Sequence, residues 1–286
     1  MNNSRNVYYE PAEVTTPLLT LDKAIEAHQP SHVFALFSGG HDSLVNTHIT
    51  AQHPAFSGVV HLNTGTGIPE TLAFVRETCE RHGWPLIEKT PQRITFEALC
   101  LERGLPGGPK KHEITYHRLK GESIDALVAD SKESRHDRIL LSTGIRQQES
   151  SRRMRLHPTA IRRDGAKVWV NPILAFSARD VNTYIEVYGL QRNPVVDKLH
   201  RSGECLCGAL ARPEELDEIA YWYPDVAAGI RDLERRCFES GLPYNWGSKP
   251  SPTTPESQGR FLDLCQSCQT RWEVSAPEIA IQPVPA

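Results

Sequence analysis

The chain has 286 residues, of which 39% are apolar and 23% are charged. This length and composition are typical of a globular protein with a domain of about 200 residues and an appendage. The formal net charge of −3 excludes a global attraction to nucleic acid. The polar N-terminus has no apolar stretch of the signal-peptide kind, and no run reaches the ~18 apolar residues of a membrane helix. We therefore expect a cytoplasmic protein without a membrane partner.

Short apolar runs alternate with helical patterns along the first two thirds of the chain. Strands are predicted at residues 33–37, 58–62, 85–88, 138–142 and 167–170. Helices are predicted at residues 20–28, 42–52, 69–82, 94–103, 115–133 and 177–189, the last with Ser177 as its cap. The alternation predicts an α/β fold with a doubly wound, mostly parallel sheet. Ligands of such sheets bind beyond the carboxyl ends of the strands.

The first predicted strand ends in a glycine-rich turn that leads into a helix. Its residues are Ser38, Gly39, Gly40, His41, Asp42 and Ser43. Glycine lets the backbone approach a phosphate, and the helix N-terminus offers free N–H groups at the positive end of its dipole. Asp42 could cap the helix or hold pyrophosphate through a cation. The pattern predicts a phosphate loop, and the alternative is a strand-to-helix turn with a serine cap.

Four segments resemble, in the right order, the phosphoadenosine phosphosulfate (PAPS) reductase family of the adenine nucleotide alpha-hydrolase superfamily. The phosphate loop is similar to the pyrophosphate loop of that superfamily. The other segments are Leu62-Asn63-Thr64-Gly65 with Pro69-Glu70-Thr71, residues 144–152, and Asn171-Pro172-Ile173 with residues 180–185. The resemblance covers roughly residues 30–208.

This resemblance implies an adenine nucleotide alpha-hydrolase-like fold that binds ATP with Mg²⁺, or an adenylyl sulfate. It places Leu62 and Thr64 near the base and ribose, and it brings Gly144 and Arg146 to the nucleotide from the fourth strand. A guanidinium at position 146 also suits phosphate or sulfate on chemical grounds, although a solvated basic loop is the alternative. Asp42 and Arg146 are the predicted catalytic residues.

Three features depart from the family pattern. His41 stands where the family's loop usually has lysine, so a fixed charge is replaced by one that titrates near neutrality. The reductases of the family carry a catalytic cysteine in a C-terminal Glu-Cys-Gly segment, whose nearest match here is Glu204-Cys205-Leu206-Cys207-Gly208. A basic segment at residues 109–120 stands where the family has a cysteine, and it could bind phosphate or simply begin a solvated helix.

The seven cysteines include two close pairs, Cys205 with Cys207 and Cys265 with Cys268. Clustered cysteines in a cytosolic chain indicate metal or redox chemistry rather than disulfides. Four thiolates suit a [4Fe–4S] cluster or tetrahedral Zn²⁺, and we favour the cluster. Four unrelated cysteines are the alternative, and Cys237 is a substitute ligand.

The sequence divides into four regions that differ in composition and in their motifs. Residues 1–29 are predicted to be an arm with a short helix, and residues 30–193 a nucleotide-binding domain of the PAPS reductase type. Residues 194–274 are predicted to be a four-cysteine module with short helices at 213–222 and 225–240. Residues 275–286 are predicted to be a disordered tail.

The leading functional hypothesis is an enzyme of the ATP pyrophosphatase type. It would cleave the α–β bond of ATP and activate an acceptor as an adenylate for sulfur transfer. One alternative is a sulfonucleotide (PAPS or APS) reductase, which needs Cys205 or Cys207 free of metal. Another is a nucleotide- or nucleic-acid-binding module without turnover. The expected partners are a nucleotide substrate, with a sulfur donor protein and a nucleic acid acceptor left open, and a homo-oligomer is expected.

Overall fold

The computed structural model describes residues 12–149, 159–212 and 214–247, and its centre is a six-stranded sheet. The strands are β1 (His32–Leu36), β2 (Phe56–Leu62), β3 (Leu86–Lys89), β4 (Ile139–Ser142), β5 (Ile161–Asp164) and β6 (Lys167–Val170). Their order is β3-β2-β1-β4-β6-β5. Neighbouring strands are parallel, except that β5 runs antiparallel to β6. The predicted mostly parallel sheet is confirmed.

Helices connect the strands and cover the sheet. They are α1 (Ala12–His28), α2 (His41–Thr50), α3 (Pro69–His82), α4 (Phe96–Arg103), α5 (Pro109–Tyr116), α6 (Glu122–Asp130), α7 (Ala178–Val187), α8 (Pro194–Leu199), α9 (Glu215–Trp222) and α10 (Pro224–Glu239). A π-helical turn, His117–Gly121, joins α5 to α6. Over the residues that the structure describes, no helix has the length and apolar character needed to cross a membrane.

Alternate side chains of β1 are buried on opposite faces of the sheet. Val33 belongs to a hydrophobic cluster with α2, α3 and α7, whereas Phe34 belongs to a cluster with α6. Burial on both faces is the arrangement that parallel sheets require, because crossover helices lie on each side. The loops after β1, β2 and β4 consequently lie at one edge of the sheet, as the doubly wound prediction expects.

A third hydrophobic cluster joins residues on both sides of position 193. Ile68, Phe96 and Leu119 share it with Leu206 and Leu216. Residues 194–247 therefore pack against the body of the protein over this cluster. The rest of the predicted cysteine module, with Cys265 and Cys268, and the predicted tail lie outside the described residues.

Two predicted helices differ from the structure, and one strand was not predicted. The first helix begins at Ala12, eight residues before the predicted start, and Leu21 on it is fully buried. The helix predicted at 115–133 is two helices with the π-helical turn between them. The edge strand β5 was missed, since its Ile-Arg-Arg-Asp sequence has no apolar alternation and its placement depends on pairing with β6. The helix capped by Ser177 is confirmed, with Asp180 completing a capping box.

Candidate functional site: the phosphate loop and the thiol pair

The phosphate loop, residues 38–43, is held open by hydrogen bonds within itself. The Ser43 hydroxyl donates to the Gly40 carbonyl at 2.8 Å, and the Ser38 N–H donates to Ser43 Oγ at 3.3 Å. Gly40 is the N-cap of α2, and within the described chain no side chain caps this helix. The predicted capping by Asp42 is therefore wrong, because Asp42 lies in the first turn. A helix start without a side-chain cap suits an anionic ligand, and binding of phosphate here stays a prediction.

Two glycines allow other elements to approach this loop. Gly39 has a φ of 78°, and a β-carbon there would lie 2.7 Å from Thr71 Cγ2 on α3. A β-carbon on Gly144, in the loop after β4, would lie 2.6 Å from the carbonyl of Asp42. The backbone after β4 thus lies against the N-terminus of α2. The structure brings Gly144 to the phosphate loop, as the sequence predicted.

Arg146 reaches the same point from the loop after β4. Its Nε lies 2.9 Å from Asp42 Oδ1, and the arginine is buried. Asp42 thereby neutralises part of the charge that Arg146 brings to the loop, and a contact between Asp42 and Mg²⁺ stays a prediction. The structure therefore places the Arg146 guanidinium beside the phosphate loop, and its contact with a phosphate or sulfate stays a prediction.

The loop after β2 binds a later segment of the chain. Thr64 is buried, and its hydroxyl donates to the Glu204 carbonyl at 3.1 Å. The Leu206 N–H donates to Thr66 Oγ1 at 3.1 Å, and the Ile68 N–H donates to the Gly203 carbonyl at 2.8 Å. Thr64 therefore binds the segment that carries Cys205. The sequence predicted Thr64 only as a residue near the ribose, and this contact was not predicted. Leu62, the last residue of β2, lies half-buried beside the cluster that holds Phe34.

A fourth segment, between α7 and α8, holds the phosphate loop from another side. Asn193 is fully buried, and its side-chain N–H donates to the Gly39 carbonyl at 2.9 Å. Arg192 Nη2 lies 3.1 Å from His41 Nδ1. Sequence reasoning missed both residues. The only local signal was Asn193 before Pro194, which marks a helix start but not a contact 154 residues away along the chain.

Cys205 and Cys207 form a hydrogen-bonded thiol pair. The Cys207 thiol donates to Cys205, and this bond, assisted by the nearby Lys120 ammonium, lowers the pKa of Cys205 to about 6 although burial opposes it. The same bond raises the pKa of Cys207, and burial adds to the effect. The pair therefore favours a thiolate on Cys205 over one on Cys207. By contrast, burial raises the pKa of Cys79 and of Cys100 to about 12.

Lys120 reaches this pair from the π-helical turn. Its Nζ lies 2.5 Å from Oε2 of the buried Glu204. Burial opposes the charged form of Lys120, but the Glu204 carboxylate and Cys205 outweigh it and raise the pKa. π-Helical turns are frequent at functional sites because the extra residue re-aims a side chain. Among the side chains that the structure describes in the basic segment at 109–120, Lys120 contacts Glu204 and lies near Cys205.

The two cysteines line a cavity of about 380 Å³, here called the thiol cavity, with Lys120, Arg201 and Trp246 among its other walls. No residue of the phosphate loop lines it. Two adjacent thiols fit two of the four predicted metal ligands. The described residues contain no group of three or more His, Cys, Asp or Glu side chains that could hold a metal ion. Cys237 is no substitute ligand here, since it is buried and its thiol donates to the Cys100 carbonyl at 3.5 Å.

The sequence profile of the phosphoadenosine phosphosulfate reductase domain matches residues 32–207, which is more than half of the chain. The chain therefore belongs to this family, as the four segments, which include the phosphate loop, predicted. The match begins at β1 and ends at Cys207, so it includes every nucleotide-site residue predicted from the sequence and one of the two cysteine pairs.

Individual relatives are more distant. A phosphoadenosine 5'-phosphosulfate reductase of Alkalilimnicola ehrlichii is 26% identical over 175 residues, which are 59% of this chain and 66% of that protein, just under two thirds of its length. An adenosine 5'-phosphosulfate reductase of Burkholderia cepacia is 25% identical over 186 residues, 64% of this chain and 72% of that protein. Among solved structures, the PAPS reductase of Candida auris in its phosphate complex has a TM-score of 0.48 at 15% identity, covering 67% of this chain and 93% of that one.

Proposed function

We propose that this chain is a sulfonucleotide reductase that binds an adenylyl sulfate at the phosphate loop and attacks it with Cys205. One observation carries the proposal. The backbone around Cys205 is hydrogen-bonded to the loop after β2, at the edge of the sheet that also carries the phosphate loop. Relatives named PAPS reductase and APS reductase support the same substrate class. ATP-dependent sulfur transfer is therefore the second candidate function.

The chemistry requires a nucleophile, a site for the leaving phosphate and a second thiol. The Cys205 thiolate attacks the sulfur, the bond from sulfur to the bridging oxygen breaks, and the electron pair leaves with the nucleotide phosphate. The phosphate loop and Arg146 stabilise the charge on that phosphate. Cys207 then gives up its proton to solvent and attacks the Cys205 sulfur, so that sulfite leaves and a disulfide forms. A dithiol reductant reopens the disulfide.

The second candidate is ATP-dependent sulfur transfer, and the thiol pair is the observation that favours it. Two adjacent thiols on one cavity wall are also what a metal centre needs from this part of the chain. Cys265 and Cys268 would complete the ligand set, and a [4Fe–4S] cluster or Zn²⁺ would then occupy the thiols. ATP with Mg²⁺ would bind at the phosphate loop, and an acceptor, nucleic acid or small molecule, would receive sulfur from a donor protein.

A product assay separates the two candidates. The anaerobically purified full chain is incubated with APS or PAPS and a dithiol, and in parallel with ATP and Mg²⁺, while sulfite and pyrophosphate are measured. Sulfite from a sulfonucleotide is the expected result. Pyrophosphate from ATP without sulfite would replace the proposal with the second candidate. Nucleotide binding without either product would leave a binding module. Iron, zinc and sulfide analysis of the same sample reports whether the cysteines hold metal.

A further inference from the structure

The backbone between the two thiols is held by one hydrogen bond on each side of Leu206. The Leu206 N–H donates to Thr66 Oγ1 at 3.1 Å, and the Leu206 carbonyl accepts a bond from Trp246 Nε1 at 2.8 Å. Both peptide units that join Cys205 to Cys207 are therefore tied to other parts of the protein. Thr66 belongs to the loop after β2, whereas Trp246 lies outside the residues that the family profile matches.

The indole of Trp246 is itself fixed by contacts of its own segment, residues 242–247. The Trp246 N–H donates to Glu234 Oε1 on α10 at 2.7 Å. The Pro243 carbonyl accepts a bond from the Leu105 N–H at 2.7 Å. Trp246 is 3% exposed and belongs to the third hydrophobic cluster. The position of the ring is therefore set by α10, by the loop after α4 and by the core.

Gly208 gives the indole room to reach the backbone between the thiols. A β-carbon on Gly208, whose φ is 74°, would lie 2.6 Å from Trp246 Cδ1 and 2.7 Å from Nε1. A larger residue would therefore displace the ring at the atom that donates to Leu206. Burial alone explains why the indole N–H has a partner. The glycine and the second bond, from Thr66, make that partner the backbone that carries both thiols.

Resting on the roles proposed above for the two thiols, we propose that Trp246 is a positioning residue for the pair of Cys205 and Cys207. With Thr66 it fixes the Leu206 backbone, and it thereby keeps the second thiol in place to attack the first after sulfonate transfer. In that step the Cys207 thiolate bonds to the Cys205 sulfur, and sulfite leaves with the electron pair of the broken sulfur–sulfur bond. Such an attack requires alignment of the reacting atoms, and a misplacement of 1 Å can slow it about 10²-fold.

Disulfide formation within the pair measures this alignment without nucleotide. The anaerobic full chain is treated with diamide, which takes two electrons and two protons from two thiols, and peptide mass spectrometry follows the disulfide of Cys205 with Cys207. Trp246→Phe keeps most of the ring and removes the Nε1–H donor, so it should slow the reaction about 10-fold. A folded Trp246→Phe that reacts at the wild-type rate would overturn the inference.

Trp222→Phe is the matched control for this measurement. Trp222 is 43% exposed and does not line the thiol cavity, so its variant should keep the wild-type rate. Thr66→Val removes the other hydrogen bond to Leu206 and replaces Trp246→Phe in the same assay if the latter does not fold. A slower disulfide is the expected result for Thr66→Val, and the wild-type rate would again overturn the inference.

A single turnover separates positioning from general support of the fold. With APS and without a reductant, Trp246→Phe should bind the nucleotide within about 2-fold of the wild type and release sulfite about 10-fold more slowly. Loss of APS affinity and of sulfite release to the same degree, together with a lowered melting temperature, would mean that Trp246 only supports the fold. That result would overturn the inference.

The inference and the proposed function fail separately. If the wild type forms the disulfide but releases no sulfite from APS or PAPS, the proposed function fails, and the diamide rates still decide the role of Trp246. If the cysteines hold iron or zinc, the rate at which a chelator removes the metal takes the place of the diamide rate. Trp246→Phe should then raise that rate about 10-fold. Equal rates in the variant and the wild type would overturn the inference.

Discussion

The phosphate loop and the thiol cavity lie at the same end of the molecule but are built in different ways. The loop is a strand-to-helix turn whose glycines and backbone N–H groups are contiguous in sequence. The cavity is assembled from the π-helical turn, the segment around Cys205 and Trp246, which are far apart in sequence. The loop offers fixed dipoles and guanidinium groups, whereas the cavity offers a thiol whose charge depends on its neighbours. Binding and bond-breaking are thus expected to respond to different substitutions.

The largest effect is expected at Cys205. Cys205→Ser should lower sulfite release from APS by about 10³-fold or more, because the nucleophile is lost, while the affinity for APS changes little. Turnover is followed with a dithiol reductant, and affinity by calorimetry.

Cys207→Ser is the matched variant for this experiment. Without the dithiol reductant, which would itself remove a sulfonate from Cys205, this variant should release one equivalent of nucleotide product and keep sulfonate on Cys205, which mass spectrometry of the intact protein detects. Turnover retained by Cys205→Ser would contradict the proposed division between the two regions. Loss of bound iron or zinc in both variants would favour metal ligation instead.

Arg146 should affect both the stability of the protein and its nucleotide affinity, because it contributes charge to the phosphate loop and is the partner of Asp42. Arg146→Ala leaves the carboxylate of a largely buried pair without its cation, which should cost about 3 kcal/mol of unfolding free energy as well as nucleotide affinity. Denaturant unfolding and calorimetry measure the two losses. The surface pair of Arg76 with Glu88 is the control, and Arg76→Ala should leave the melting temperature almost unchanged.

Gly144 tests the loop alone. Gly144→Ala places a methyl group 2.6 Å from the Asp42 carbonyl, so the N-terminus of α2 must shift. We expect nucleotide affinity to fall about 10-fold, while iodoacetamide labelling of Cys205 stays at the wild-type rate. Gly229→Ala is the control, since a β-carbon there has no neighbour within 4 Å and should stabilise α10 by about 0.5–1 kcal/mol. Equal affinity for Gly144→Ala and wild type would show that the close approach is unimportant.

The smallest predicted effect concerns Lys120 and the pH dependence of the cavity. The pKa of Cys205 is lowered to about 6, so labelling should be fast above pH 6 and should slow as pH falls below it. Lys120→Met removes a cation that favours the thiolate, so the midpoint should move upward by about half a unit to one unit. Lys89→Met is the control, because Lys89 has the same 23% side-chain exposure but pairs with Asp130 at the end of α6. A midpoint that stays in place would exclude Lys120 as a cause of the lowered pKa.

Much of the fold and of the loop was predictable from local pattern. The apolar run of β1 and the glycine turn after it are adjacent in sequence, so their chemistry is visible without tertiary information. The same holds for Ser177 and Asp180, which form a capping box three residues apart. Local pattern failed for β5, whose charged sequence becomes a strand only by pairing with β6, and for α1, which is held by burial of Leu21.

Sequence by itself determined the glycine turn between β1 and α2 and the membership of the family, because each motif consists of residues within a few positions of one another. The approach of Gly144 and Arg146 to that turn was predicted only through the family resemblance. Tertiary structure alone decided that Arg192 and Asn193 contact the phosphate loop and that Lys120 lies near Cys205. It also decided that Cys237 lies against the Cys100 carbonyl and not with the Cys205 pair. Those contacts join residues about 80 to 150 positions apart, such as Lys120 with Glu204 and Arg192 with His41. No local periodicity encodes them, since they follow from how the helices and loops pack at the edge of the sheet.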